Sequence, residues 1–412
     1  MSGPAAGPAL ARLAGALPPP RRARRARFAD PDSGEALDDG IALWFPAPHS
    51  LTGEDVAELQ VHGSRAVLAA LAAALGRLGL RLAEPGEFTR RAFLNGKLDL
   101  TQAEAVADLA AAETEAQRRQ ALRQLDGALG ELYRGWSARL HRALAHLEAA
   151  IDFPDEELPA DIEAAIAAET GALAEEIERH LADEHRGERL RDGIEVAIIG
   201  PVNAGKSSLL NCLAQREAAI TSPFAGTTRD VIEVAVDLGG YPVILADTAG
   251  LRDSDDPVEQ EGLRRARARA ETAALRLYVF DASDPLAAAA AAAWRDARTL
   301  LVANKTDLVA APPAGALPVS ALTGAGVAEL VAALAARVAA DYRDSAPLLT
   351  RARHREALLD AAAALRRAGE ADLAELRAED LRLGWRALGR ITGSVDVEGL
   401  LDVIFREFCL GK

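Results

Sequence analysis

The chain has 412 residues with 47 Lys+Arg against 62 Asp+Glu, a formal charge of −15, and is 50% hydrophobic but only 4% aromatic. At roughly 150 residues per domain this length holds two or three domains with cores of their own, and the scarcity of aromatics beside abundant alanine favours helices over sheets. The acidic balance leaves no whole-chain positive field, so any contact with RNA must be local or borrowed from a partner, and two cysteines, Cys212 and Cys409, make no disulfide framework and suit a reducing cytoplasm.

In chain order, Arg12, Arg21, Arg22, Arg24, Arg25 and Arg27 open the sequence without the long apolar segment of a secretion signal. Prolines 18–20 are expected to interrupt any amphipathic helix there, leaving a solvated surface segment. Residues 41–95 mix short apolar runs with Gly and Pro, as a small α+β unit does. From about 98, Leu122, Leu125, Leu129, Leu132, Trp136, Leu140, Leu144 and Leu147 step by threes and fours, which predicts one stripe along a long helix. Asp152-Phe153-Pro154-Asp155 breaks it, and Ile162, Ile166, Leu173, Ile177 and Leu181 resume helically. At Ile194 the pattern changes to short buried strands alternating with helices, the rhythm of a parallel sheet. Helical periodicity returns from about 340. The longest wholly apolar run, Leu286 to Trp294, falls far short of the ~20 residues of a membrane span. The histidine pairs His141/His146 and His180/His185 sit off one-face helical spacing, which argues against zinc.

The α/β segment carries the chemistry. Gly200-Pro201-Val202-Asn203-Ala204-Gly205-Lys206-Ser207 follows a strand-like run and precedes helix-forming Ser208-Leu209-Leu210. Such a loop wraps phosphates with backbone N–H groups, sets a Lys on the β/γ oxygens and a Ser on Mg²⁺. Asp247-Thr248-Ala249-Gly250 follows an apolar run, where a carboxylate holds the Mg²⁺ shell and Gly250 senses the γ-phosphate. Asn304-Lys305-Thr306-Asp307 follows another, and Asp307 there accepts two hydrogen bonds from the N–H and amino edge of guanine, which adenine lacks. Ser320-Ala321 completes the base pocket. Leu251 stands where Ras-like GTPases carry a water-orienting Gln. Asn203 is either a plain loop residue or a cation ligand; with Gly226-Thr227-Thr228-Arg229-Asp230 present the ligand is favoured, and Thr228 becomes the switch residue reaching Mg²⁺.

Together with Ala42-Leu43-Trp44-Phe45-Pro46, Thr52-Gly53-Glu54-Asp55, the stretch from Pro85 to Ala105, Ile151 to Glu157 and the closing Phe408-Cys409-Leu410-Gly411-Lys412, these motifs make the chain resemble the MnmE (TrmE) family of tRNA wobble-uridine-modifying GTPases over nearly its whole length. The resemblance implies an α/β + α architecture: a folate-binding and dimerisation domain (1–95), a helical domain in two parts (96–192 and 340–412), and a P-loop GTPase domain inserted between them (193–339). It implies a homodimer in the cytoplasm, a flavoprotein partner (the FAD-dependent MnmG) in a heterotetramer or larger complex, tRNA as substrate, and no membrane. GTP with Mg²⁺ would be hydrolysed with K⁺ in the role of an arginine finger. Asn203, Ser222, Phe224 and Thr227 would hold K⁺, Ser207 and Thr228 would hold Mg²⁺, and Glu259 would position the attacking water.

A 5,10-methylene-tetrahydrofolate unit, with 5-formyl-tetrahydrofolate as its analogue, would feed an aminomethyl-type group onto uridine C5, its site using Glu58, Lys97 and Lys412. Glu58 has a physical rationale, since the pterin ring offers the same N–H/amino edge as guanine; without the resemblance it reads as a solvated helix acid. Cys409 is the family's tail cysteine, suspected in the uridine chemistry; on sequence alone it is equally a small buried hydrophobe, as Cys212 is. The family begins with an apolar strand ending in a folate-contacting Arg. Met1-Ser2-Gly3-Pro4 is similar to the residues just after that strand, so the expectation is a true start upstream. Of the basic residues only Lys97, Lys206, Lys305 and Lys412 are lysines, and all four fall on these expected nucleotide or folate positions. The alternative to a modifying GTPase is a ribosome-assembly or RNA-binding switch GTPase without one-carbon chemistry.

Overall fold

The computed structural model describes residues 1–153, 162–216, 232–247, 270–342, 348–395, 401 and 404–405. The chain divides into two compact units, one of residues 1–110, 124–174 and 360–412, the other of 111–123 and 175–359.

The first unit opens with helix α1 (Ala6–Ala14), followed by strands β1 (Arg24–Ala29), β2 (Ala36–Phe45) and β3 (Val56–Gln60), which form an antiparallel sheet in the order β1-β2-β3. Helix α1 lies upstream of the prolines expected to interrupt a helix, and it buries part of a segment expected to be solvated surface. Its apolar residues Ala6, Ala9, Leu10 and Leu13 recur at helical spacing, and Gly15 ends it with φ 75°, upstream of the prolines. Leu10 and Leu13 join Phe28, Ala42, Trp44 and Ala57 in the core on one face of the sheet. Gly7 allows that approach, because a Cβ there would lie 2.8 Å from the Trp44 ring. The arginine-rich segment likewise becomes strand β1, with Ala26 and Phe28 inward and Arg25 and Arg27 exposed, so the solvated reading holds for its side chains but not its backbone. Helices α2 (Arg65–Arg77) and α3 (Glu87–Leu94) follow, completing the α+β unit read between 41 and 95.

The stripe expected along one helix spans two. Helix α4 (Leu100–Ala111) is followed by α5 (Glu115–Leu125) and α6 (Ala128–Asp152), and the break lies at Gly127, whose φ of 96° no helix accommodates. From there Leu129, Tyr133, Trp136, Leu140, Leu144 and Leu147 are buried along α6. Helix α7 (Ile162–Leu181) buries Ile166, Leu173 and Ile177.

In the second unit α8 (Arg186–Asp192) leads to β4 (Ile194–Ile199), α9 (Lys206–Arg216), β5 (Ile232–Leu238), β6 (Tyr241–Asp247), β7 (Leu275–Asp281), α10 (Pro285–Ala291), β8 (Thr299–Asn304), β9 (Leu317–Pro318) and α11 (Val327–Asp341). The six strands form one sheet in the order β5-β6-β4-β7-β8-β9, parallel except for the β5/β6 pair. Strands β4 and β7 are almost wholly buried, as expected of a parallel sheet covered on both faces. Two further helices, α12 (Ala352–Glu370) and α13 (Ala374–Thr392), carry the late helical periodicity. Among the described residues no helix is long and apolar enough to cross a membrane.

Candidate nucleotide-binding site

Strand β4 ends in a loop whose path demands glycine at two points. Gly200 has φ 139°, and a Cβ on it would lie 2.0 Å from the Val279 carbonyl oxygen; Gly205 has φ 87°, and a Cβ there would meet Asn304 Nδ2 at 2.3 Å. Between them Asn203 takes φ 63°, a conformation Asn tolerates better than most residues. The chain thus turns sharply and enters α9 at Lys206, presenting a helix N-terminus where the dipole and free N–H groups favour an anion.

Lys206 is 7% exposed, and its ammonium donates to the carbonyls of Gly200 (3.0 Å) and Pro201 (2.8 Å) at the loop itself. Burial lowers its pKa, and the nearby Asp247 carboxylate raises it. Asp247 closes β6, whose parallel register sets it beside Ile198 at the end of β4. The Ser207 hydroxyl donates to Asp247 Oδ2 at 2.6 Å, while Oδ1 of this carboxylate, 2% exposed, is buried without a hydrogen-bond partner among the described residues. An unsatisfied buried carboxylate oxygen beside a hydroxyl is a hard oxygen donor set, which fits Mg²⁺.

Asn304, 1% exposed at the end of β8, ties two loops together: its Nδ2 donates to the Ala204 carbonyl at 2.8 Å, and its Oδ1 accepts the Ala321 N–H at 3.0 Å. Asp307 accepts a hydrogen bond from the Ser320 hydroxyl at 2.5 Å. Ser320 and Ala321 are therefore brought to the Asn304–Asp307 segment as the sequence suggested, and Ala204 to Asn304; Ser208 is exposed in the first turn of α9. Lys305, at φ 62°, donates from Nζ to Asp281 Oδ2 at 2.7 Å.

Sequence reasoning missed Asp281, which ends β7 in register with Asn304. Burial pushes its pKa up, but hydrogen bonds from Lys305 and Ser283 outweigh that and hold it at about 2. The available signal was position: Asp281 ends a strand at the sheet edge that Asp247 and Asn304 also occupy. Cys212 is half-buried and packs against the core of this unit, in keeping with its reading as a small hydrophobe.

Ser222, Phe224, Thr227, Thr228, Thr248, Ala249, Gly250, Leu251 and Glu259 lie outside the described residues, as do Cys409 and Lys412. Asn203 is thus the one expected K⁺ ligand among the described residues, and it is exposed.

In the first unit a cavity of about 900 Å³ is lined by Met1, Glu58, Leu71, Leu75, Phe88 and Arg91 among others. Glu58 belongs to strand β3, not to a helix. Lys97 is exposed and does not line that cavity; its stem lies near Gly53 instead. The structure thus brings Glu58, but not Lys97, to the cavity. Beside it, Arg91 pairs with Glu54 at 2.9 Å and Glu87 at 2.5 Å, and Arg81 pairs with Glu87 at 2.6 Å.

Two family models match the chain: the GTP-binding protein TrmE N-terminus over residues 1–97 and the MnmE helical domain over residues 100–409. Among its relatives, tRNA modification GTPase MnmE of Rhodospirillum rubrum is 58% identical and that of Parvibaculum lavamentivorans 61% identical, each alignment covering 100% of this chain and 95% of the relative. The same protein of Paramagnetospirillum magneticum is 60% identical with the same coverage. With Gly200–Ser207, Asp247 and Asn304–Asp307 gathered at the carboxyl ends of β4, β6 and β8, and with relatives alike over 95% of their length, this chain belongs to the MnmE (TrmE) family of tRNA modification GTPases.

Proposed function

We propose that the protein hydrolyses GTP and that this turnover drives modification of the wobble uridine of tRNA. The observation that supports the GTPase reading is the set Lys206, Ser207–Asp247 and Asn304–Asp307, gathered at three separate strand ends with side chains suited to phosphate, cation and base. In this reading Lys206 and the loop N–H groups hold the β- and γ-phosphates. Asp307 reads the guanine edge, and Asn304 keeps the base and phosphate loops in fixed relation. Mg²⁺, when bound, supplies charge neutralisation at the phosphate oxygens, with Ser207, Asp247 and Thr228 as the residues that would hold it.

The finer chemistry is that of the family. K⁺ would be held by Asn203 and by Ser222, Phe224 and Thr227, supplying positive charge toward the transferred phosphoryl group, with Glu259 positioning water. Glu58, Lys97 and Lys412 would bind a tetrahydrofolate one-carbon carrier, and Cys409 would act at the uridine. A homodimer and an FAD-dependent MnmG partner would complete the enzyme in the cytoplasm. The domain limits proposed from sequence, 1–95, 96–192, 193–339 and 340–412, go with this reading.

Deletion of the gene followed by mass spectrometry of tRNA nucleosides tests it: the C5-modified wobble uridine should disappear and return on complementation. Unchanged modification, with a disturbed ribosomal-subunit profile, would overturn it in favour of the ribosome-assembly switch.

A further inference from the structure

The negative charge of the chain is not spread evenly. Residues 1–29 contain six arginines and no Asp or Glu, so they carry +6; the remaining residues hold 47 − 6 = 41 basic against 62 acidic groups, or −21. An asymmetry of this size calls for a physical account.

The structure fixes these cations in place. Arg24, Arg25 and Arg27 are exposed on β1, an edge strand paired through its register with Ala42, Ile41 and Asp39 of β2. Arg25 and Arg27 alternate with buried Ala26 and Phe28, so both stand on the face away from the core, about 7 Å apart along the strand. Arg21 and Arg22, also exposed, lead into it; the Arg21 N–H donates to the Trp44 carbonyl at 2.8 Å and its guanidinium to the His49 carbonyl at 2.8 Å. Elsewhere in the same unit several arginines are held by carboxylates, Arg77 by Asp30 and Asp32, Arg81 by Glu87, Arg91 by Glu54 and Glu87, Arg134 by Asp99, while others without such a pair among the described residues, such as Arg65 and Arg142, stand singly in sequence rather than in a run. Among the described residues, none of the five between 21 and 27 has an acidic partner in an ion pair; the carboxylate set across the strands from Arg27 is Asp39, with which it makes no bridge.

Charged side chains on an edge strand also block unwanted pairing of sheets. One or two suffice for that, and it gives no reason for Arg21 and Arg22 or for the absence of acids over 29 residues. A guanidinium presents a rigid donor fork that matches phosphate. We propose that the exposed arginines Arg21, Arg22, Arg24, Arg25 and Arg27 form the surface on which this otherwise acidic chain binds the phosphate backbone of its RNA substrate. The proposal rests on the tRNA reading above and adds the place of contact. Its binding is electrostatic and positions the RNA without reading sequence.

The test uses the full chain and a fluorescently labelled tRNA transcript, titrated at several KCl concentrations. R24Q/R25Q/R27Q should bind tRNA at least tenfold more weakly at low salt, with the slope of log K against log salt reduced by about 2, near 0.7 to 0.9 per lost phosphate contact. R24K/R25K/R27K should keep most of the affinity, and R118Q/R119Q, on helix α5, should change neither quantity. GTP turnover without tRNA should be unaltered in all three. Equal affinity and slope in the glutamine variant overturn the proposal. So does a glutamine variant that changes its self-association by light scattering while tRNA affinity stands, since the arginines then guard or form a contact between copies. A wild-type chain that binds no tRNA removes the surface too, whereas the tRNA reading itself fails only if the wobble uridine modification survives gene deletion.

Discussion

The nucleotide site and the N-terminal sheet use polar side chains in opposite ways. In the first, Lys206, Asp247, Asn304 and Ser320 are almost fully buried at the carboxyl ends of parallel strands, and among the described residues all but one oxygen of Asp247 finds an internal partner. In the second, cations stand exposed in a row on an edge strand. Buried groups discriminate, because a wrong ligand leaves them unpaired at a cost of several kcal/mol. Exposed groups act by number, each contributing little and each screened by salt. One molecule can therefore hold a selective small-ligand site and an unselective polyanion surface without conflict.

Three measurements press on this contrast. The largest effect is expected at the nucleotide site, from Asp307, an exposed neighbour of these buried groups. Asp307→Asn should lower GTP affinity by roughly a thousand-fold or more and make xanthosine triphosphate the preferred nucleotide, since the amide cannot accept both guanine donors. Nucleotide titrations showing undiminished GTP binding would remove Asp307 from the base pocket.

Next in size is the cation dependence assigned to Asn203. GTP turnover should be at least tenfold faster in K⁺ than in Na⁺ at equal ionic strength, a difference of about 1.4 kcal/mol in barrier. Equal rates in the two salts would return Asn203 to an ordinary loop residue.

The smallest effect belongs to Glu87, whose carboxyl is held at about 2 by hydrogen bonds from Arg81, the Glu84 N–H and Arg91 against the upward push of burial. A depressed carboxylate pKa stabilises the fold above its unfolded value and loses that contribution as pH falls toward the folded one. Glu87→Gln should thus cost about 1 kcal/mol at neutral pH, screened by the solvent around Arg81. The deficit should shrink as pH is lowered from about 4.5 toward 2. Urea midpoints that differ equally at neutral pH and near the folded pKa would show that the ion pair is not the cause.

How much of this the sequence disclosed depended on how tightly backbone geometry restricts residue type. The phosphate loop was legible because Gly200 and Gly205 sit where any Cβ would collide and because lysine is so rare here. The expected guanine segment was legible because Asn304 and Asp307 come directly after an apolar run. Helix α1 was not, since its apolar positions are mostly alanines and the prolines drew attention away from Gly15, the residue that ends it. The α5/α6 break was hidden for the opposite reason: the leucine stripe continues at nearly helical spacing across Gly127, and periodicity alone cannot register a positive φ. Asp281 escaped because a lone aspartate acquires meaning only when β7 is seen to lie beside β8. The cavity of the first unit shows a further limit. Glu58 lines it and Lys97 does not, and no local spacing could have separated them.

Asn304 has a consequence beyond its two hydrogen bonds. Because one amide group bonds to both the loop proposed to meet phosphate and the loop proposed to meet the base, GTP bound as proposed would be a bivalent ligand whose anchor points are already cross-linked. Whichever end docks first presents the other at high effective concentration to a loop already in place. Guanosine and pyrophosphate supplied as separate molecules forgo that chelate advantage, so fragments of the nucleotide compete poorly with the whole.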